Sequence, residues 1–246
     1  MAIPIVFPYK KETQEWRKLK YAVRSIYKYF KNEFEIWIIG SKPDWLVSGN
    51  LIELKHFRFR EELIINKNCN INNKFLLASN LFSEFIWVAD DQFLLYDTHL
   101  EDLKKLWYLY DIRTITITTN PKPWQKLFIN TYNIGLKAGY DVHLNFEAHA
   151  PLYIESKYVP EVQKEFDIGS GNTLFKQAYG MVAKYRNPYI KVEAINHKKL
   201  GVYSMRKIDE SEWDNKQFLS FSDKGESSPG LKDKIQKIFA VKSELE

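Results

Sequence analysis

The chain contains very little cysteine: Cys69 stands alone among 246 residues. An intrachain disulfide is therefore impossible, and so is a zinc knot built on several thiolates. A reducing cytoplasm is the natural setting for such a chain. Long hydrophobic runs are missing too. No stretch of about 18 uncharged apolar residues occurs, so the sequence predicts no membrane-spanning helix. The opening residues, "MAIPIVFPYKKE", carry their charges after the apolar stretch and have no small-residue cleavage pattern; they read as a first strand and not as a signal peptide. There is no internal repeat, low-complexity tract or clear linker. Nor does one sign of charge dominate: 36 Lys and Arg against 31 Asp and Glu leave a formal +5. That balance suits a phosphate-bearing substrate, or weak attraction to nucleic acid, without demanding either.

What the chain does have is apolar material, 45% of it hydrophobic and 15% aromatic, enough for one large core. Strand-length apolar runs alternate with helical periodicity. "IPIVF" (3–7) predicts a buried strand. Trp16, Leu19, Val23, Ile26 and Phe30 fall at helical spacing, with Thr13 as N-cap. "FEIWIIG" (34–40) and "LIELKHF" (51–57) predict two more strands, 72–81 a helix, and "EFIWVAD" (84–90) the next strand. This β-α-β-β-α-β order predicts an α/β fold, a mostly parallel sheet flanked by helices, with ligands gathering at the carboxyl ends of its strands. The second half is less regular. A strand is expected at 114–120, a helix after Pro123, and mixed strand character over 142–154 broken at Pro151. Helices are expected near 156–166 and 172–185, a strand at 217–223, and a last helix with Leu231, Ile235 and Ile238 on one face.

Function is most legible in "FIWVADDQFLL" (85–95), where an apolar strand ends on adjacent carboxylates, Asp90 and Asp91. Two such charges repel unless a cation neutralises them. A hard divalent ion, Mn²⁺ or Mg²⁺, does so while leaving room for phosphate oxygens. A turn or helix-capping pair is the plainer alternative. Further candidates are Pro8, Tyr9 and Lys10 after the first strand, either an ordinary β-to-α loop or a ring able to stack on a base beside a lysine able to meet a phosphate, and Lys74, at the expected start of the helix over 72–81, either solvated or set to bind phosphate. Arg24 belongs to a basic stripe with Arg17, Lys20, Lys28 and Lys31, either a solvated face or a contact for an anionic acceptor. His149, between Glu147 and Pro151, is either a structural hydrogen-bonder or a metal ligand or general base, with His197 a weaker second candidate for the third metal ligand; Asp223 ends the expected late strand, as a site residue or a turn-forming aspartate.

The segments "LKYAVRSIYKYFKNEFEIWIIGSKPDWL" and "NKFLLASNLFSEFIWVADDQFLL" resemble the nucleotide-sugar-binding half of GT-A glycosyltransferases. Within that class they look most like the Stealth-type sugar-phosphate transferases of capsule synthesis. The shared features are an Arg-Ser-Ile helix, a strand leading to "PDWL" and an Asp-Asp-x-Phe strand end; "EAHAP" (147–151) and "KQFLSFSD" (216–223) are similar to later segments of that family. The family's first block, Trp-Val-Asp-Gly, is absent, as is its later arginine block. The resemblance implies a single GT-A-like (Rossmann-like) domain over 1–246, with 1–97 binding the nucleotide sugar and 98–246 forming the acceptor side. It implies a metal-dependent glycosyltransferase taking a sugar from a nucleotide donor, a UDP-sugar first among them, to a hydroxyl of a glycan or a modified DNA base. Asp90, Asp91 and His149 would hold the metal. Pro8, Tyr9, Lys10, Arg24, Lys74 and Asp90 would bind the donor, and His149 and Asp223 would be catalytic. Sugar-1-phosphate transfer and a non-enzymatic, nucleic-acid-associated basic protein are the alternatives.

Overall fold

The computed structural model describes residues 2–11, 16–54, 63–114 and 120–246. In chain order the elements are β1 (Ile3–Tyr9), α1 (Lys18–Tyr29), β2 (Phe34–Gly40), β3 (Asn50–Glu53), α2 (Ile64–Leu81), β4 (Glu84–Trp87) and β5 (Gln92–Leu94). Then come α3 (Leu100–Leu103), β6 (Leu106–Tyr108), α4 (Pro123–Lys137), β7 (Leu152–Glu155), α5 (Val159–Phe166) and α6 (Phe175–Arg186). The chain continues through β8 (Val192–Ala194), β9 (Lys199–Val202), β10 (Phe218–Phe221), α7 (Asp223–Glu226) and α8 (Leu231–Ile238).

The central sheet runs β3-β2-β1-β4-β7. Its first four strands are parallel and β7 is antiparallel to β4. The alternation along β1 explains the layering. Ile3, Ile5, Phe7 and Tyr9 point to one face, into a core shared with Leu19, Val23 and Ile26 of α1 and Leu231 and Ile235 of α8. Val6 points the other way, with Phe85 and Trp87 of β4, toward Phe75 and Ala78 of α2 and the helices α5 and α6. Helices thus cover both faces, the α/β arrangement that the alternating runs predict. A second sheet, β5-β10-β9, packs on the α1 side; β5 pairs antiparallel with β10, and β9 parallel to it. β6 and β8 form a separate parallel pair. Among the described residues no helix is long and apolar enough to cross a membrane.

Several element boundaries differ from the sequence expectation. β1 is two residues longer, because Pro8 and Tyr9 still pair with Ile39 and Gly40. Helix α2 starts at Ile64, eight residues early, through an Asn-rich stretch of poor intrinsic propensity. Tertiary bonds sustain it: Asn68 donates to the carbonyls of Gly171 and Thr173, and Asn72 to those of Ile168 and Thr173. Helix α1 begins only at Lys18, after Arg17 in a left-handed conformation (φ 38°), so Trp16 lies outside it. β4 ends at Trp87, and Asp90 and Asp91 sit in the turn that follows. Thr13, the end of the third strand beyond residue 54, and most of the strand expected at 114–120 lie outside the described residues.

Candidate functional site

The strand order places β2 and β3 on one side of β1, and β4 on the other. The chain therefore reverses direction across the sheet between β1 and β4, and the crevice above that switch point is where open parallel sheets take ligands. Both carboxylates follow β4 there. Their turn is tight: the Gln92 amide donates to the Ala89 carbonyl at 3.1 Å, and the Ala89 amide donates to Gln92 Oε1 at 3.0 Å.

Asp91 is the buried member, with 17% of its side chain exposed against 27% for Asp90. Burial, and next to it the charge on Asp90, push the Asp91 carboxyl up to about 7, although Lys18 and Lys176 pull the other way. His149 Nε2 lies 3.2 Å from Asp91 Oδ1. His149 has a left-handed backbone (φ 51°), an uncommon conformation for a residue with a Cβ. Burial, then the charges of Lys176 and Lys199, hold its imidazole well below the usual histidine pKa, so the ring is neutral at pH 7. Lys199 fixes the neighbouring peptide by donating to the Ala148 carbonyl, and it also donates to the Tyr203 hydroxyl at 2.7 Å.

Lys18, the first residue of α1, faces three carboxylates: Asp90 at 3.7 Å, Glu226 at 3.8 Å and Asp223 at 4.0 Å. Lys18 also pulls the Asp91 carboxyl down, against its burial and the charge on Asp90. Lys176, in the first turn of α6, adds a second cation; burial lowers its pKa while Glu147 and Asp91 raise it. Nothing about Lys18, Lys176 or Lys199 in the sequence marks them out, except that Lys199, Gly201 and Tyr203 alternate and so share one strand face.

The donor set accommodates a hard divalent ion only in its sparest form. Among the described residues no three His, Cys, Asp or Glu side chains gather closely enough to share one. Two carboxylates with phosphate oxygens and water making up the rest is how Mg²⁺ is commonly held. Asp90 and Asp91 are the residues that would hold it. His149, expected as a third ligand, is instead the hydrogen-bond partner of one of them, an outer position that orients a ligating carboxylate.

Other expected contacts are corrected. Lys74 does not open a helix; it lies in the middle of α2, buried, and its Nζ donates to the Tyr9 carbonyl at 2.9 Å. The approach is possible because residue 40 is glycine at φ +134°, where a Cβ would stand 1.9 Å from that same oxygen. Lys74 thus ties the ends of β1 and β2 to α2. The Tyr9 ring belongs to the core and is not a surface on which a base can stack, since β1 extends through it; Lys10 lies beyond the strand and is exposed. Pro8 is half-buried within β1. Arg24 is buried and grips Glu246 with two 2.6 Å bonds while donating to the Phe239 and Ala240 carbonyls. The rest of the basic stripe is similarly engaged: Arg17 with Asp44, Lys20 with Glu246, Lys28 with the Ile238 carbonyl, Lys31 with Asp97. It is largely an internal fastening for residues 238–246. Asp223, at the start of α7 and 91% exposed, reaches the site through Lys18. His197 lies against Glu193, on the loop before β9.

The sequence matches no family model and no curated protein. The functional reading therefore rests on the residues themselves.

Proposed function

We propose that the chain is a transferase that binds a nucleotide-activated sugar in the crevice between β1 and β4 and passes the sugar to an acceptor hydroxyl. One observation carries this reading: a largely buried carboxylate beside a second one, in the turn after β4 at the switch point of a parallel sheet, with its pKa raised to about 7 by burial and by the neighbouring charge. Mn²⁺ or Mg²⁺, bound to the pair, would neutralise charge developing on the leaving diphosphate. Lys18 and Lys176 flank the same carboxylates and add positive charge for phosphate oxygens. His149 is the better general base of the two candidates. Its ring is neutral at pH 7 and sits beside Asp91, whereas Asp223 is almost wholly in solvent. The imidazole takes the acceptor's proton as the hydroxyl oxygen attacks the anomeric carbon; the sugar–oxygen bond breaks, and its electron pair leaves with the nucleoside diphosphate. The engaged basic stripe offers the DNA reading no further support.

Isothermal titration with UDP tests the site. Mn²⁺ is expected to tighten UDP binding by about tenfold or more. It is also expected to release about half a proton per ion at pH 7, since the ion must displace the proton on a carboxyl of pKa about 7. Affinity should then rise with pH through 7 and level off about one unit above it. UDP binding that ignores Mn²⁺ removes the ion from the reading, and no UDP binding at all removes the reading. With a panel of UDP-sugars, release of UDP and not UMP distinguishes sugar transfer from sugar-phosphate transfer.

A further inference from the structure

We propose that Tyr203 is an aromatic platform that carries the face of the donor's sugar ring; this rests on the transfer reading above and specifies its sugar subsite. Tyrosine ordinarily buries its ring and lets its hydroxyl reach water. Tyr203 does the reverse. Its hydroxyl turns inward, accepting from Lys199 Nζ at 2.7 Å and lying 3.0 Å from Ser220 Oγ, both on buried residues. Yet 48% of the residue is exposed. The fixed tip holds the ring in one orientation, so little freedom is left to lose on binding.

Two neighbours shape this surface. Residue 201 is glycine, and a Cβ there would come within 2.7 Å of the Tyr203 ring, so glycine is what lets the ring lie back over β9. The His149 ring is 6.2 Å away, inclined by 28°, and His149 is in turn 3.2 Å from Asp91. A diphosphate held at Asp91 would thus have its next group within reach of Tyr203. That group is the sugar and not the base. Tyr203 adjoins the β5-β10-β9 sheet, whereas the base would lie toward the ends of β1 and β2, on the other side of the switch point. The C–H face of a pyranose carries partial positive charge and meets the negative face of an aromatic ring.

The test is titration of UDP, UDP-glucose, UDP-galactose and UDP-N-acetylglucosamine, each with Mn²⁺, into the parent protein and the Tyr203→Ala, Tyr203→Phe and Gly201→Ala variants. The parent is expected to bind at least one UDP-sugar more tightly than UDP. Tyr203→Ala should remove that margin, a loss of about three- to tenfold, and leave UDP itself within about twofold of the parent. Tyr203→Phe should keep most of it, and Gly201→Ala, which displaces the ring without deleting it, should lose it. A margin that survives Tyr203→Ala and Gly201→Ala overturns the platform, as does an equal fall for UDP and UDP-sugar. A parent that binds UDP but favours no UDP-sugar over it overturns the platform alone. A parent that does not bind UDP overturns the transfer reading and the platform with it.

Discussion

Asp91→Asn is expected to give a protein that is more stable than its parent at pH 8 and yet binds UDP with Mn²⁺ at least tenfold more weakly. Both effects have one cause. The folded-state carboxyl titrates near 7, against 3.8 for the ordinary group, because burial and Asp90 disfavour its charge. A carboxyl whose pKa rises on folding is a cost to the fold once it ionises. The cost begins above the unfolded value near 4, grows until the folded group has ionised near 7, and is constant beyond. The parent should therefore lose stability from this group between pH 4 and 7, and the amide variant should not. About three units would correspond to roughly 4 kcal/mol. Partial exposure and the flanking lysines, which lose a partner in the variant, reduce the expected gain to the order of 2 kcal/mol at pH 8. Urea unfolding of both proteins at pH 5 and pH 8 measures it, and the gap should narrow at the lower pH. An Asp91→Asn protein less stable than its parent at pH 8 would mean that Lys18 and Lys176 already satisfy the carboxylate as a structural ion pair. The site would then not be built to receive a cation.

That outcome turns on residues the sequence does not single out. The carboxylate pair is legible because eight apolar residues flank it within residues 85–95, and the parallel sheet is legible because β1, β2 and β4 are short apolar runs separated by helical spacing. Asp91 and His149 lie 58 residues apart, and only a resemblance of "EAHAP" to a known segment joins them in advance. The three lysines are less visible still. A lysine at the start of a helix or within a strand reads as solvated, and its burial depends on what the second half of the chain lays over it. The small sheet is only partly legible. Its middle strand β10 falls within the run expected at 217–223, but β5 and β9 have only three and four residues, too few for a period to emerge, and β5 follows directly on the carboxylate turn. Lys74 misleads because its helix begins in an Asn-rich segment whose side chains bond residues about a hundred positions away. Local propensity says loop, and tertiary bonds make it helix.

Arg24 is the plainest case of a residue whose sequence context suggests a ligand and whose surroundings assign it to the fold, and its substitution should show this. Arg24→Met is expected to cost about 3–5 kcal/mol of stability while leaving UDP affinity unchanged, because it strands a buried carboxylate. Burial alone would raise the Glu246 carboxyl, but the bonds from Arg24, Lys20 and Ser243 outweigh it and bring it down to about 2. A depressed carboxyl stabilises the fold above its unfolded pKa, near 4.5, and that contribution disappears as the pH falls toward 2. Acid unfolding of the parent should therefore include a step over that interval which Glu246→Gln lacks. The double variant Arg24→Met, Glu246→Leu should recover part of the lost stability, since an apolar pair leaves no charge uncompensated. If Arg24→Met instead weakened UDP binding with stability intact, the guanidinium would be a donor contact after all. The two 2.6 Å bonds to Glu246 would then have to open for the ligand, and residues 239–246, which those bonds fasten to α1, would have to move with them.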